Sequence, residues 1–158
     1  VMKYLLDILD KETEVYTNYL DLATQKKTAL IENDIDALEL ITDQEKGLST
    51  KVLALEAARV EFLREQGFPA SIQLRELVPQ LEKEDRKELT NKAAVLKEVL
   101  TQCKKVTESN MALMKQSSNY INHMIKIFTS SLNGSKPATY SEKGTNKFEA
   151  GKIADIQG

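Results

Sequence analysis

The chain has 158 residues, of which 41% are hydrophobic and 29% charged, and its 22 Lys and Arg residues nearly balance 24 Asp and Glu residues for a net charge of −2. This length suits one domain, and this composition allows a packed core. The charge balance gives no electrostatic reason to expect nucleic acid or an anionic membrane surface as a partner. One cysteine and one histidine disfavour a disulfide framework, a His/Cys metal site or a histidine-based catalytic cluster. We therefore expect a non-enzymatic protein without cofactor or metal.

Targeting signals are also missing from the sequence pattern. No apolar run approaches the ~20 residues that a membrane-spanning helix requires. The first residues become charged again at Asp7, directly after Leu5 and Leu6, which is not typical of a secretory signal. We expect a cytoplasmic protein that does not insert into a membrane.

The first predicted helix covers about residues 3–31. Apolar side chains recur there every seven residues, which is typical of a helix with one buried stripe. Glu12 and Lys26 are expected at solvated or rim positions, and Asn33 or Asp34 ends this helix and caps the next. The repeated apolar positions are Met2, Leu9, Tyr16, Ala23 and Leu30.

The second predicted helix covers about residues 35–66. Apolar residues follow a three-and-four spacing, and Glu45 and Arg59 fill two polar positions of that register. Gly67 is a natural stop, and Pro69 follows it in the usual order. The apolar positions are Leu38, Ile41, Leu48, Val52, Leu55 and Phe62.

A short helical segment over 71–78, capped by Ser71 and ended by Pro79, connects to a third long helix over 82–132. That helix is ~75 Å long, against ~45 Å for each of the first two. We predict an all-α fold: an antiparallel bundle or coiled coil of three long helices, with a short helix between the second and third. This helical domain spans 1–132, and the glycine-containing residues 133–158 form a flexible tail.

The last third of the third helix is the most apolar part of the chain, and the first two helices are too short to cover it. Two adjacent seven-residue series form a face broader than a coiled-coil seam requires. The face is either core or a self-association surface, or else it binds a partner; periodicity leaves both interpretations open. The two series are Val99, Val106, Leu113, Tyr120, Ile127 and Leu100, Thr107, Met114, Ile121, Phe128.

Two chemically distinctive residues lie on the third helix. His123 has no second histidine or cysteine beside it, and Tyr120 stands where a di-iron bundle would have a glutamate, so we interpret it as a surface or rim residue. Cys103 falls between Val99 and Val106 and is interpreted as a small buried side chain rather than a nucleophile. Neither residue indicates an enzyme.

The order of these elements resembles the FlgN family of bacterial flagellar export chaperones over essentially the whole chain. The resemblance rests on four segments, of which the "ALIENDIDALE" junction, the Asn110-x-x-Leu113-Met114 step and the tail Tyr-x-x-x-Gly are the most specific. The segments are "KKTALIENDIDALELITDQEKGL" (26–48), "EAARVEFLREQG" (56–67), "ESNMALMKQSSNYINHMIKIF" (108–128) and "PATYSEKG" (137–144).

The resemblance implies a cytoplasmic chaperone of the flagellar hook-associated proteins, which are FlgK-like and FlgL-like. Such a chaperone binds the clients' C-terminal helical segments, prevents premature assembly and delivers the clients to the export gate of the flagellar type III apparatus. Its client-binding surface lies on the C-terminal part of the last long helix. The matching residues here are Leu113, Met114, Ile121, Met124, Ile125 and Phe128.

A tail tyrosine contacts the export-gate protein in that family, and its match here is Tyr140. The residues between Tyr140 and Gly144 vary within the family, so this part of the tail departs from a strict pattern. The alternative from another class is a structural helical protein that only self-associates and has no client. The sequence leaves the free protein's state, monomer or homodimer, open.

Overall fold

The computed structural model describes residues 2–133, apart from the side chains at 119–121, 124 and 131–133. Every regular element in this part of the chain is helical, which confirms the predicted all-α fold. Three helices are long, and a short helix with a 3₁₀ turn joins the second to the third. The elements are α1 (Met2–Glu32), α2 (Ile35–Glu65), α3 (Leu74–Leu77), the 3₁₀ turn Val78–Gln80 and α4 (Lys83–Asn133).

Local signals set both ends of α2 as predicted. Asn33 has a positive φ of 56°, which turns the chain sharply after α1. Asp34 is the N-cap of α2, and its carboxylate accepts a hydrogen bond from the backbone N–H of Ala37 at 3.1 Å. At the other end Gly67 has φ +80°, and the N–H of Phe68 reaches back to the carbonyl of Leu63. The α1–α2 turn and the stop of α2 are therefore encoded locally.

The connector between α2 and α4 differs from the sequence prediction. The short helix begins at Leu74 behind Gln73 rather than behind Ser71, and Pro79 lies inside the 3₁₀ turn instead of ending the segment. The start at Leu74 has a local cause, because the Glu76 carboxylate accepts a hydrogen bond from the backbone N–H of Gln73 at 3.1 Å. The Arg86 guanidinium, on the first turn of α4, donates to the backbone carbonyls of Leu81 at 2.6 Å and Pro79 at 3.0 Å. This clamp ties the connector to α4.

Helix α1 packs against α4 in a parallel direction. Lys92 of α4 pairs with Asp10 of α1 at 2.6 Å, and further along both helices Asn110 donates to the carbonyl of Ala23 at 2.8 Å. Both residue numbers rise together, so the two helices run the same way. This is the direction expected when the intervening α2 is antiparallel to each of them.

Helix α2 packs against α1 in the antiparallel direction, because contacts that rise in number along α1 fall along α2. The tilted rings of Tyr4 and Phe62 pack together with centroids 5.4 Å apart, whereas Lys26, near the other end of α1, pairs with Glu45. Eleven side chains of α1 are buried, compared with four of α2. Helix α1 is therefore the central element, and α2 and α4 flank it.

The flanking helices α2 and α4 have almost no close backbone approach to each other within residues 2–133. In a closed three-helix bundle the third long helix would contact both of the others. Instead the main hydrophobic cluster gathers where α1 begins, α2 ends and α4 begins, and the connector closes that end. Its buried members are Met2, Leu5, Leu6, Leu9, Phe62, Leu63, Leu77, Leu81 and Leu89.

Two charged residues of α1 are buried, which corrects their predicted place at the rim. Lys26 Nζ lies 3.3 Å from Glu45 Oε2, with only 7% and 6% of the two side chains exposed. Glu12 Oε1 lies 3.4 Å from Arg59 Nε, and burial raises the pKa of the Glu12 carboxyl while Arg59 opposes that rise. Helical periodicity identifies which positions face inward, but it does not show that α2 places an oppositely charged side chain beside them.

No helix of the described part combines enough length with enough apolar character to cross a membrane.

The Lys26–Glu45 pair yields a first prediction. Replacing either residue with methionine leaves the other charge buried beside an apolar side chain, so each single variant should lower the free energy of unfolding by about 3 kcal/mol. The double variant Lys26→Met with Glu45→Met should lose clearly less than the sum, because both charges leave together. Urea unfolding followed by circular dichroism measures this.

The matched control is Lys27→Met, which removes a neighbouring lysine that is exposed on the same helix. It should change stability by no more than about 0.5 kcal/mol. Additive losses in the double variant would show that the two charges do not interact in the folded protein.

Candidate functional site

Helix α4 continues well past the end of the helix that it packs on. From Tyr16 onward, the side-chain contacts between α1 and α4 have an offset of 87 or 88 residues, as the pairs Tyr16 with Cys103, Tyr19 with Thr107 and Ala23 with Asn110 show. At the offset of 87 residues Glu32, the last residue of α1, lies level with residue 119. The remaining residues of α4, 120–133, extend about 20 Å further without α1 beside them.

The side of α4 that faces α1 is the side that continues into this extension. Cys103 and Asn110 are almost fully buried, with 0% and 2% exposure. Phe128 occupies the same side of the helix, 18 residues or five turns beyond Asn110, and it is 67% exposed. A large apolar ring at an inward-facing position is left in solvent because α1 has ended.

The predicted client-binding residues divide according to their distance from the end of α1. Leu113 and Met114 lie where α1 is still present and are half-buried, whereas Ile125 is half-buried and Phe128 exposed in the extension. The side chains of Ile121 and Met124 lie outside the described part, as does Tyr140 in the tail. The assignment of all seven residues to client and export-gate contacts stays a prediction.

More apolar side chains are exposed near the α1–α2 turn than the periodicity indicated. Ile31 and Ile35 flank the turn with 65% and 58% exposure, and Leu40 follows on α2 with 62%. These residues lie at the same end of the molecule as the start of the α4 extension. Sequence analysis missed them because Ile31, Ile35 and Leu40 lie outside the apolar series that it used to define the two helices. Their exposure depends on which sides of α1 and α2 the tertiary packing covers.

Two polar contacts on α4 hold it at close range to α1. Cys103 donates its thiol to the carbonyl of Tyr16 at 3.4 Å, and Asn110 donates its amide to the carbonyl of Ala23. Burial raises the pKa of the Cys103 thiol to about 11, so the group is neutral at physiological pH. The structure thus agrees with a buried, unreactive cysteine. His123 is exposed, as predicted.

An apolar groove runs between α2 and α4, with α1 as its floor. It has a volume of about 580 Å³ and is closed at one end by the connector residues Ile72 and Leu77. Leu63 lines the α2 wall, and Leu96 and Leu100 line the α4 wall. Helical periodicity does not indicate this space, because it arises where two helices both pack on α1 and have almost no contact with each other.

Within residues 2–133, no group of three or more His, Cys, Asp or Glu side chains is arranged to hold a metal ion. The exposed apolar side chains of the α4 extension and the groove beside α4 are the features of this part of the chain that remain to be explained.

A comparison with protein families finds one match, to the model described as FlgN protein, over residues 2–147. That range includes the whole helical part and the first residues of the tail. No curated protein and no solved structure matches the chain significantly.

The buried thiol yields a second prediction. The thiol of the unfolded chain ionises near its ordinary pKa of about 8.5, whereas that of folded Cys103 stays neutral until about pH 11. Its contribution to stability is complete below the unfolded pKa and is lost as the pH rises through the folded one. The free energy of unfolding should therefore fall more steeply between pH 9 and 11 in the natural protein than in Cys103→Ala.

The same burial predicts slow labelling of Cys103 by a thiol reagent such as DTNB at pH 8 in the folded protein. The control places an accessible thiol on α4, as Ser117→Cys in a Cys103→Ser background, since Ser117 is exposed. That thiol should react at least about a hundredfold faster. Equal labelling rates would contradict the buried position of Cys103.

Proposed function

Because the chain belongs to the FlgN family, a family of flagellar export chaperones, we propose that its clients are hook-associated proteins of the FlgK-like or FlgL-like kind. It would hold their C-terminal helical segments in the cytoplasm before export. Family membership carries the general role, a chaperone in flagellum biogenesis. The clients, the surface that holds them, the delivery step and an action by binding rather than catalysis are our proposal.

The observation that supports a client surface on α4 is the exposed apolar extension of this helix. Phe128 is 67% exposed and Ile127 51% exposed on a helix that α1 no longer covers. Large exposed apolar surfaces on a monomeric protein mark sites of interaction. An amphipathic client helix packed along this face would bury its own apolar side together with the exposed apolar side of α4.

The proposed surface has a graded structure that suits reversible binding. Leu113 and Met114 are half-buried beside α1, whereas Phe128 stands clear of it. A client helix would therefore contact both the part of α4 that is packed on α1 and the part that extends beyond α1. The face carries two methionines, and their flexible side chains adapt to more than one apolar partner. This favours a chaperone that serves related clients.

Delivery to the export gate would depend on the tail, which lies outside the described residues. We assign Tyr140 to the gate contact on the strength of its place in the tail Tyr-x-x-x-Gly pattern. Since Tyr140 lies beyond the end of α4, a gate protein would reach it without displacing the client. Client binding and delivery would then be separable functions of one chain.

The client surface yields a third prediction. Ile125→Asp together with Phe128→Asp should weaken binding of a FlgK-like or FlgL-like client by at least about a hundredfold, because two apolar contacts become charged and unpaired. The helix should persist, since α1 does not cover this segment and few native contacts are lost. Size-exclusion chromatography with light scattering measures the complex, and circular dichroism measures helicity.

The matched control introduces the same two charges on the opposite side of the extension, as His123→Asp with Ser130→Asp, both exposed positions. It should bind client normally. Cooperative loss of helicity in the first variant would show that the face is core. A homodimer that the first variant dissociates, without any client complex in the natural protein, would instead favour the self-associating helical protein.

The tail yields a fourth prediction. Tyr140→Ala should leave client affinity within about twofold of the natural protein, because Tyr140 lies outside the proposed client surface and a change away from a contact surface has little effect on binding. Export of the client into the medium should nevertheless fall strongly. Tyr140→Phe tests whether the ring alone suffices. Loss of client binding in Tyr140→Ala would refute the separation of binding from delivery.

A further inference from the structure

We propose that the apolar groove between α2 and α4 is a second docking site, which binds an acidic amphipathic helix of another protein. This site is distinct from the α4 extension, which begins about 16 residues beyond the groove along α4. The inference does not depend on the client surface proposed above. It depends on the shape, lining and charge of the groove.

The shape of the groove suits a helix. Its α4 wall extends from Leu89 to Lys104, which is about 22 Å or four helical turns. Helix α1 forms the floor with Leu5 and Leu9, and α2 and α4 do not close over it. A helix of about 15 residues laid between these walls would complete a four-helix bundle over the existing three.

The charges of the groove select an acidic occupant. Its lining contains three cationic side chains, Arg59 on α2 with Lys97 and Lys104 on α4, and no carboxylate. Glu12 offsets part of this charge, because it pairs with Arg59 from α1. The Arg59 side chain is nevertheless 36% exposed, so a carboxylate in the groove can approach its guanidinium. Carboxylates flanking an apolar stripe would meet these cations.

Neither the α4 extension nor the tail supplies that chemistry. The α4 extension, residues 120–133, contains Lys126 and no acidic residue, so a second copy that docked through this segment would present the wrong charge. The tail, residues 134–158, contains four lysines against three acidic residues and is also slightly basic. Charge complementarity therefore favours a different protein as the source of the helix.

The test uses the full chain and two fluorescein-labelled helical peptides of about 16 residues. Both have leucines along one face; one has glutamates on the flanks of that face, and the other has lysines there. Fluorescence anisotropy should show binding of the glutamate peptide and at least about tenfold weaker binding of the lysine peptide. Equal affinity for the two peptides, or no binding of either, would overturn the proposal.

Reversing the charge of two groove lysines tests whether the peptide binds in the groove. Lys97→Glu with Lys104→Glu should weaken the glutamate peptide about tenfold and strengthen the lysine peptide. The matched control is Lys87→Glu with Lys105→Glu, two exposed lysines of the same helix that do not line the groove. It should leave the preference unchanged. Equal effects of the two reversals would show that only net charge matters, and would overturn the proposal.

Two further measurements distinguish the other occupants. Removal of residues 134–158 should not change affinity for the glutamate peptide; a strong increase would show that the tail occupies the groove. The natural chain should not form a dimer that the groove reversal dissociates; such a dimer would identify a second copy as the occupant.

The variant Ile125→Asp with Phe128→Asp should bind the glutamate peptide normally, which separates this site from the client surface.

Discussion

The parallel packing of α4 on α1 is the constraint on which the rest of the structure depends. Ala23 is small and 1% exposed, so α4 approaches closely enough for Asn110 to reach its carbonyl. Cys103 makes the equivalent contact with the carbonyl of Tyr16 two turns earlier. In both contacts a side chain of α4 donates a hydrogen bond to the backbone carbonyl of the α1 residue 87 positions earlier in the chain. A slip of α4 along α1 would bury the Asn110 amide without this acceptor, at a cost of about 1–3 kcal/mol.

This register determines how much of α4 remains uncovered. Because α1 ends at Glu32, the fixed offset leaves the last turns of α4 without a neighbour, and Phe128 is exposed as a result. The exposed face is therefore not a separate element added to a bundle. It is the continuation of the core-facing side of α4 beyond the point where the core stops, and this explains why a binding surface has the periodicity of a core.

The charged pairs between α1 and α2 set the second register of the fold. The pair of Lys26 with Glu45 and the pair of Glu12 with Arg59 lie at two separate positions along the antiparallel interface of α1 and α2. Such buried pairs add little net stability, because desolvation offsets their attraction, but a misaligned partner would leave a charge buried alone. With both α2 and α4 held on α1, the flanking helices diverge and the groove between them stays open.

Periodicity and local hydrogen bonding are enough to predict the helices, the capped turn at Asp34 and the stop at Gly67. The length and the apolar character of α4 likewise indicate that its end is too long for its neighbours to cover. The burial of Glu12 and Lys26 and the groove between α2 and α4 emerge only when the helices pack together. Each of these depends on a residue or helix distant in the chain, which a one-dimensional pattern does not specify.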